Sequence, residues 1–142
     1  MANTVVVGVD ESETAVKAAR KAAWLAASVG ASLTVVTAFD DEALPEPPAD
    51  IAPMSVNDIA AQIAQHVIAG LRGEFGELEM TARAEYGKPA KALVAVAEEV
   101  DASIIVVGNK RVQGLAAMLG SIARDVAHHA PCDVYIAHTV ER

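Results

Sequence analysis

The feature that most constrains this chain is the regular alternation of short apolar runs with longer stretches of helical periodicity. The runs are too short for buried helices and are rich in β-branched residues, which is typical of strands covered on both faces. Five strands are predicted over Thr4–Val9, Leu33–Thr37, Leu78–Tyr86, Ser103–Val107 and Asp133–Ala137. The third strand alternates polar with apolar residues, which indicates a half-exposed position near a sheet edge.

Four stretches between the strands have the apolar spacing of amphipathic helices. They are Ser12–Val29, the stretch that carries Val56, Ile59, Ile63, Val67 and Leu71, the stretch that begins after Gly87-Lys88-Pro89, and roughly Ala116–His128. The residues expected to face the core in the first helix are Val16, Ala19, Ala23, Ala26 and Ala27. Gly30 follows that helix and is expected to end it.

Strict alternation of strands and helices predicts a single α/β domain over residues 1–142. Right-handed crossovers make the sheet parallel and place helices on both faces, so the fold is a three-layer, doubly wound sandwich around five parallel strands. The Pro-rich segment Asp40–Pro53 is interpreted as a surface loop within that domain. Ligands of such folds bind beyond the carboxyl ends of the strands, which directs attention to Asp10, Ala38–Phe39 and Gly108 onward.

Charge and cysteine content narrow the class of protein further. The chain has 11 basic and 19 acidic residues and a net charge of −8, which argues against binding to nucleic acid. Its single cysteine, Cys132, excludes an intrachain disulfide and fits a reducing compartment. The apolar runs are too short for a membrane span or a secretory signal. We therefore expect a soluble, cytoplasmic protein without membrane or nucleic-acid partners.

A glycine-rich segment follows the fourth strand and is the first candidate site. It contains Gly108, Lys110, Arg111 and Gly114 and is followed by Gly120-Ser121. Glycines let a ligand approach the backbone, and free N–H groups at a helix start attract phosphate oxygens. The alternative is an ordinary strand-to-helix turn, and the spacing alone does not decide between the two interpretations.

Asp10, at the end of the first strand, is the second candidate. Its carboxylate suits a ribose hydroxyl or a Mg²⁺ ion held against phosphates. With Glu13 three residues later it also has the form of a helix capping box, and Ser12 is a second candidate cap. The two roles are compatible, and the cap is the more frequent meaning of this pattern.

Enzyme and metal-site interpretations find little support in the sequence. It lacks the G-x-S-x-G, G-x-x-x-x-G-K-[ST] and early G-x-G-x-x-G motifs. His128, His129 and Cys132 resemble a ligand cluster, but adjacent helical side chains diverge by about 100°. Histidines at a helix C-terminus are better explained by the helix dipole.

Three separated segments of the chain carry distinctive motifs. They are, in order, VVVGVDESETA, YGKPAKALVAVAEEVDASIIVVGNK and GLAAMLGSIARDVAHHAPCDVYIAH. Together they resemble the universal stress protein family. The resemblance covers nearly the whole chain and implies an adenine nucleotide alpha hydrolase-like fold with strand order 3-2-1-4-5. It also implies a homodimer formed through the last strand, at Val134, Tyr135 and Ile136.

The resemblance further implies a site for ATP or a related adenine nucleotide such as cAMP, with Mg²⁺ at Asp10 as an open possibility. It places Gly8, Val9, Asp10 and Ala38 near the base and ribose. It places Gly108, Lys110, Gly120, Ser121 and Ile122 near the phosphates. The ATP-binding pattern of the family is G-x2-G-x9-G-[ST]. Here Gly108 matches the first glycine, but Arg111 stands in place of the second, and eight residues instead of nine lie between Arg111 and Gly120. Arg111 either grips a phosphate or blocks its approach.

The expected function is that of a nucleotide-binding regulatory module in a stress response. No catalytic base is evident, so we expect no robust catalysis and leave slow ATP hydrolysis open. The alternative is a nucleotide-free dimeric stress protein that acts through protein contacts, with Arg111 closing the site. A metabolic enzyme on this scaffold is the least favoured interpretation.

Overall fold

The chain alternates strands and helices throughout the part that the computed structural model describes, which is residues 3–10, 12–40, 55–109 and 120–139. The strands are β1 (Thr4–Gly8), β2 (Ser32–Phe39), β3 (Met80–Tyr86), β4 (Ile104–Gly108) and β5 (Asp133–Ala137). The helices are α1 (Glu13–Val29), α2 (Val56–Leu71), α3 (Pro89–Glu99) and α4 (Ser121–His129).

All five strands pair in parallel in the order β3-β2-β1-β4-β5. This confirms the predicted doubly wound fold and the order that the family resemblance implies. β1 is central and β3 is an edge strand, as its alternating pattern predicts. β5 forms the opposite edge and has the predicted bounds.

Several element boundaries differ from the prediction for local reasons. β2 continues to Phe39 because Ala38 and Phe39 pair with Glu85 and Tyr86 of β3. The predicted helix from Ala116 begins at Ser121, and residues 116–119 lie outside the described residues. Most of the Pro-rich segment Asp40–Pro53 lies outside them as well.

The start of α1 corrects the predicted capping box. Ser12 is the N-cap, because its extended backbone and its Oγ atom allow it to accept the Ala15 N–H at 3.2 Å. Asp10 does not cap the helix; its Oδ1 atom accepts the Ser12 N–H at 2.8 Å. At the other end of α1, Gly30 adopts φ 72° and terminates the helix as predicted.

Two apolar layers hold the helices on opposite faces of the sheet. α1 and α2 cover one face of the sheet, where they pack in one apolar cluster with Val5, Val7 and Val35 of the strands. α3 and α4 cover the other face. α1 packs closely because its buried residues are almost all alanine: Ala18, Ala19, Ala22, Ala23 and Ala26. The prediction that Val16 and Ala27 face the core is wrong, since both are exposed. None of the helices in the described part of the chain combines the length and hydropathy that a membrane span requires.

Candidate functional site

A cavity of about 440 Å³ opens at the carboxyl ends of the central strands. Eight of the ten residues predicted to bind nucleotide line it: Gly8, Val9, Asp10, Ala38, Gly108, Gly120, Ser121 and Ile122. The other two, Lys110 and Arg111, lie outside the described residues. The fold therefore brings together residues that are up to 114 positions apart in the sequence, between Gly8 and Ile122.

The sheet order explains why the cavity lies at this point. β1 lies between β2 and β4, and the helices that follow β1 and β4 pack on opposite faces of the sheet. The chain therefore leaves these two neighbouring strands in opposite directions and a crevice remains between the exits.

Gly8 and Gly108 both line the cavity. At each of them a neighbouring side chain lies where a Cβ atom would otherwise be. A Cβ atom on Gly8 would lie 2.9 Å from Cδ1 of Leu93 in α3, which is closer than real contacts allow. A Cβ atom on Gly108 would lie 3.2 Å from Oγ1 of Thr139. Glycine at both positions lets α3 and the segment after β5 approach the sheet directly beneath the cavity.

The N-terminus of α4 presents backbone donors to the cavity. Its N-cap is Gly120, which has no side chain that could accept a hydrogen bond from the first turn. The first N–H groups of a helix have no partner within the helix, and the helix dipole adds partial positive charge there. Ser121, Ile122 and Ala123 belong to this first turn and line the cavity. The arrangement is suited to an anion such as a phosphate group.

The remaining lining of the cavity is mainly apolar and carries little charge. Val36, Pro89, Leu93 and Val107 contribute apolar surface, which suits the face of a base. Among the described lining residues Asp10 is the only charged one. Positive charge for a polyphosphate would therefore have to come from side chains outside this lining, and Lys110 and Arg111, which follow Gly108 in the sequence, are the predicted sources.

Sequence reasoning missed several residues of the lining, above all Thr139. This residue is 3% exposed and lies just after β5. The rule that ligands bind beyond the carboxyl ends of parallel strands applies to β5 as well, and it could have identified Thr139.

The histidine and cysteine residues near the end of α4 do not form a metal centre. In the described part of the chain no three His, Cys, Asp or Glu side chains are grouped to hold an ion. His128 and His129 occupy the last turn of α4, where the helix dipole favours them, and His129 Nδ1 lies 3.0 Å from the carbonyl oxygen of Asp125. Burial raises the pKa of the Cys132 thiol, and the adjacent Asp133 carboxylate raises it further.

Comparisons with known proteins agree with this doubly wound α/β architecture. The model of the universal stress protein family matches residues 1–138, and the chain therefore belongs to that family. A universal stress protein of Mycobacterium tuberculosis is 31% identical over 141 residues, which cover 96% of each protein.

Two solved structures add information about ligands of relatives. A universal stress protein crystallised in complex with cAMP is 31% identical, with a TM-score of 0.72 and 98% of both chains covered. The universal stress protein from Archaeoglobus fulgidus in complex with dAMP is 26% identical, with a TM-score of 0.61 and coverage of 94% of this chain and 96% of that one. Adenine nucleotides are thus ligands of proteins that share this fold and this family.

Proposed function

We propose that this protein is a regulatory stress-response module that binds an adenine nucleotide in the cavity between the exits of β1 and β4. The observation that carries the proposal is the N-terminus of α4, which has no side-chain cap, at a mainly apolar cavity. The complexes of relatives with cAMP and dAMP support the choice of an adenine nucleotide.

The two ends of the cavity have different roles in this proposal. Val9 and Ala38 contact the base, and the Asp10 carboxylate accepts hydrogen bonds from ribose hydroxyl groups. Gly108 gives the phosphate access to the backbone, while Gly120–Ile122 donate N–H groups to its oxygens.

The charge of the lining bears on which nucleotide binds best. With Asp10 as the only charged group among the described lining residues, the cavity favours a nucleotide with a single phosphate charge, such as cAMP. ATP carries several negative charges and needs compensation from Lys110, from Arg111 or from Mg²⁺ held near Asp10. We therefore expect ATP binding to depend on Mg²⁺ more strongly than cAMP binding does.

The proposed module binds its nucleotide and does not turn it over rapidly. Among the described lining residues Asp10 is the only one with a carboxyl or imidazole group, and its Oδ1 atom already accepts the Ser12 N–H. A general base that activates water must lie within hydrogen-bond reach of it, and Asp10 is the only candidate in this part of the chain. Hydrolysis of ATP is expected to be slow or absent.

The decisive experiment is to identify what the protein carries when purified from cells. The protein is denatured and the released small molecules are identified by mass spectrometry. Calorimetric titration of nucleotide-free protein with cAMP, AMP and ATP, with and without Mg²⁺, then ranks the ligands. Failure to recover or bind any adenine nucleotide would favour the alternative, a nucleotide-free protein that acts through protein contacts.

We also propose that the protein forms a homodimer through β5. This strand lies at an edge of the sheet. Val134 and Tyr135 at its centre pack on opposite faces of the sheet, and Ile136 is exposed. An uncovered edge strand offers unpaired backbone groups, and pairing with the same strand of a second copy satisfies them around a two-fold axis. Light scattering at micromolar concentration tests this, and a monomer would contradict it.

A further inference from the structure

The exits of β4 and β5 are joined by a single side chain that the nucleotide proposal does not use. Asn109 follows β4, and its backbone N–H donates to the carbonyl oxygen of Ala137 at 3.0 Å. Its side-chain Oδ1 accepts the Thr139 N–H at 2.8 Å and the Thr139 hydroxyl at 3.1 Å. Its Nδ2 atom lies 3.1 Å from Nδ1 of His138. One carboxamide thus contacts two consecutive residues on the neighbouring strand exit.

These contacts determine which way the Asn109 carboxamide is oriented and which ring nitrogen of His138 carries the proton. The Thr139 backbone N–H can only donate, so the atom of Asn109 that faces it must be the oxygen. The amide nitrogen consequently faces His138 and can only donate. His138 Nδ1 must therefore be an acceptor, with the ring proton on Nε2.

The same contacts hold part of the cavity wall. Thr139 is 3% exposed and lies against the Cα atom of Gly108, where a Cβ atom would be 3.2 Å from its hydroxyl oxygen. Its hydroxyl and backbone N–H are both directed to Asn109 Oδ1, so the rotamer of Thr139 is set by Asn109. Gly108 and Thr139 both line the cavity.

We propose that Asn109 is a positioning residue of the nucleotide site. It fixes Gly108 and Thr139 relative to each other, and it fixes the point from which the chain leaves β4 toward Lys110, Arg111 and the start of α4. This inference rests on the proposed nucleotide function. Loss of the side chain is expected to loosen the wall on which the phosphate lies without removing any atom that touches the nucleotide.

The test combines nucleotide affinity with the protonation state of His138. Asn109→Ala is expected to weaken cAMP binding about fivefold to tenfold, because the side-chain hydrogen bonds to the backbone N–H and hydroxyl of Thr139 and to the ring of His138 are lost. The matched control is Asn57→Ala, at an exposed position of α2 that does not line the cavity, and its affinity should stay within about twofold of the parent. Thermal unfolding of both variants identifies any loss of fold.

Nitrogen-15 NMR of the imidazole ring supplies a readout that general destabilisation does not move. In the parent at neutral pH, His138 should carry its proton on Nε2. In Asn109→Asp the introduced carboxylate can accept from Thr139 but cannot donate to His138, so the His138 proton should move to Nδ1. His138→Asn keeps an acceptor near the Nδ1 position and should retain affinity, whereas His138→Leu should not.

The outcomes separate this inference from the function on which it rests. If the parent binds cAMP and folded Asn109→Ala binds it equally well, the positioning role is rejected and the nucleotide function stands. A proton on Nδ1 of His138 in the parent also rejects the proposal. If the parent binds neither cAMP, AMP nor ATP, the nucleotide function and the positioning role both fail. The NMR result then still tests the hydrogen bond between Asn109 Nδ2 and His138 Nδ1 that links the ends of β4 and β5.

Discussion

Two of the helices that begin at the cavity, α1 and α4, differ in how their first turns are capped. α1 is capped by its own sequence, because Ser12 Oγ accepts the Ala15 N–H and Asp10 in turn accepts the Ser12 N–H. α4 begins at Gly120, which has no side chain to serve its first turn. Both helix starts carry partial positive charge. Of these two helix starts, that of α4 has no side-chain cap among the described residues, so its N–H groups suit a partner from outside the helix.

The two helix starts differ in what they contribute to stability and to the proposed binding. A side-chain cap contributes to folding by itself, and glycine in its place costs on the order of a few tenths of a kcal/mol. Under the proposed function, an anion bound to the same N–H groups of α4 would restore that stability. Substitutions at the two helix starts should therefore act on different measurements.

The largest effect is expected from giving α4 a cap of its own. Gly120→Asp should raise the unfolding free energy by about 0.3–1 kcal/mol through capping and the helix dipole, since the extended backbone at this position (φ −62°, ψ 160°) is open to any residue. The carboxylate would occupy the N–H groups and repel phosphate, so cAMP affinity should fall about a hundredfold. Calorimetry and thermal unfolding measure the two changes. Gly120→Asn is the uncharged control and should lose less affinity, and unchanged binding by Gly120→Asp would place the phosphate elsewhere.

A second large effect concerns Arg111, which lies outside the described residues. Since the described lining has Asp10 as its only charged group, we predict that Arg111 supplies positive charge to a polyphosphate. Arg111→Ala should weaken ATP binding by about tenfold or more and make it less sensitive to salt. Titrations at two ionic strengths measure both effects. If Arg111→Gly instead binds ATP more tightly than the parent, Arg111 blocks the site and the prediction is wrong.

A smaller effect distinguishes the two residues at the start of α1. Ser12→Ala removes the cap and should lower the unfolding free energy by about 0.5–2 kcal/mol, with cAMP affinity changed less than about twofold. For Asp10→Ala the main change should be in affinity: nucleotide binding should weaken by about fivefold or more, because the substitution removes an acceptor from the cavity. Paired calorimetry and unfolding experiments give both values for each variant. Equal affinity of Asp10→Ala and the parent would leave Asp10 with a structural role alone.

The smallest effect is expected beyond the other end of α4, at Cys132. Because its pKa is raised by burial and by Asp133, the thiol should react with iodoacetamide more slowly than a free cysteine at neutral pH and accelerate as the pH rises. The folded state holds this proton more tightly than the unfolded state, so the contribution of Cys132 to stability is present below the ordinary thiol pKa and is lost as the pH rises through the raised one. Mass spectrometry of the alkylated protein follows the rate. Cys132 does not line the cavity, so a strong effect of cAMP on that rate would be unexpected.

The sequence by itself determined the order of strands and helices along the chain and the end of the sheet at which the cavity lies. Apolar runs of β-branched residues alternate with helical spacing, and this pattern indicates a parallel sheet with right-handed crossovers and helices on both faces. β5 has the predicted bounds, and Gly30 ends α1 as predicted. These outcomes depend on local periodicity and on the conformational freedom of glycine, both of which can be read along the chain.

Tertiary structure alone decided which of several suitable residues took each role. Asp10 and Ser12 are both good caps, and the extended backbone at Ser12 selected that residue. The face of α1 that packs on the sheet buries Ala18 and leaves Val16 exposed, although Val16 is the more apolar residue. Asn109 meets Thr139 across 30 positions because β4 and β5 are neighbours, and this pairing depends on contacts between residues far apart in the sequence, which local periodicity does not specify.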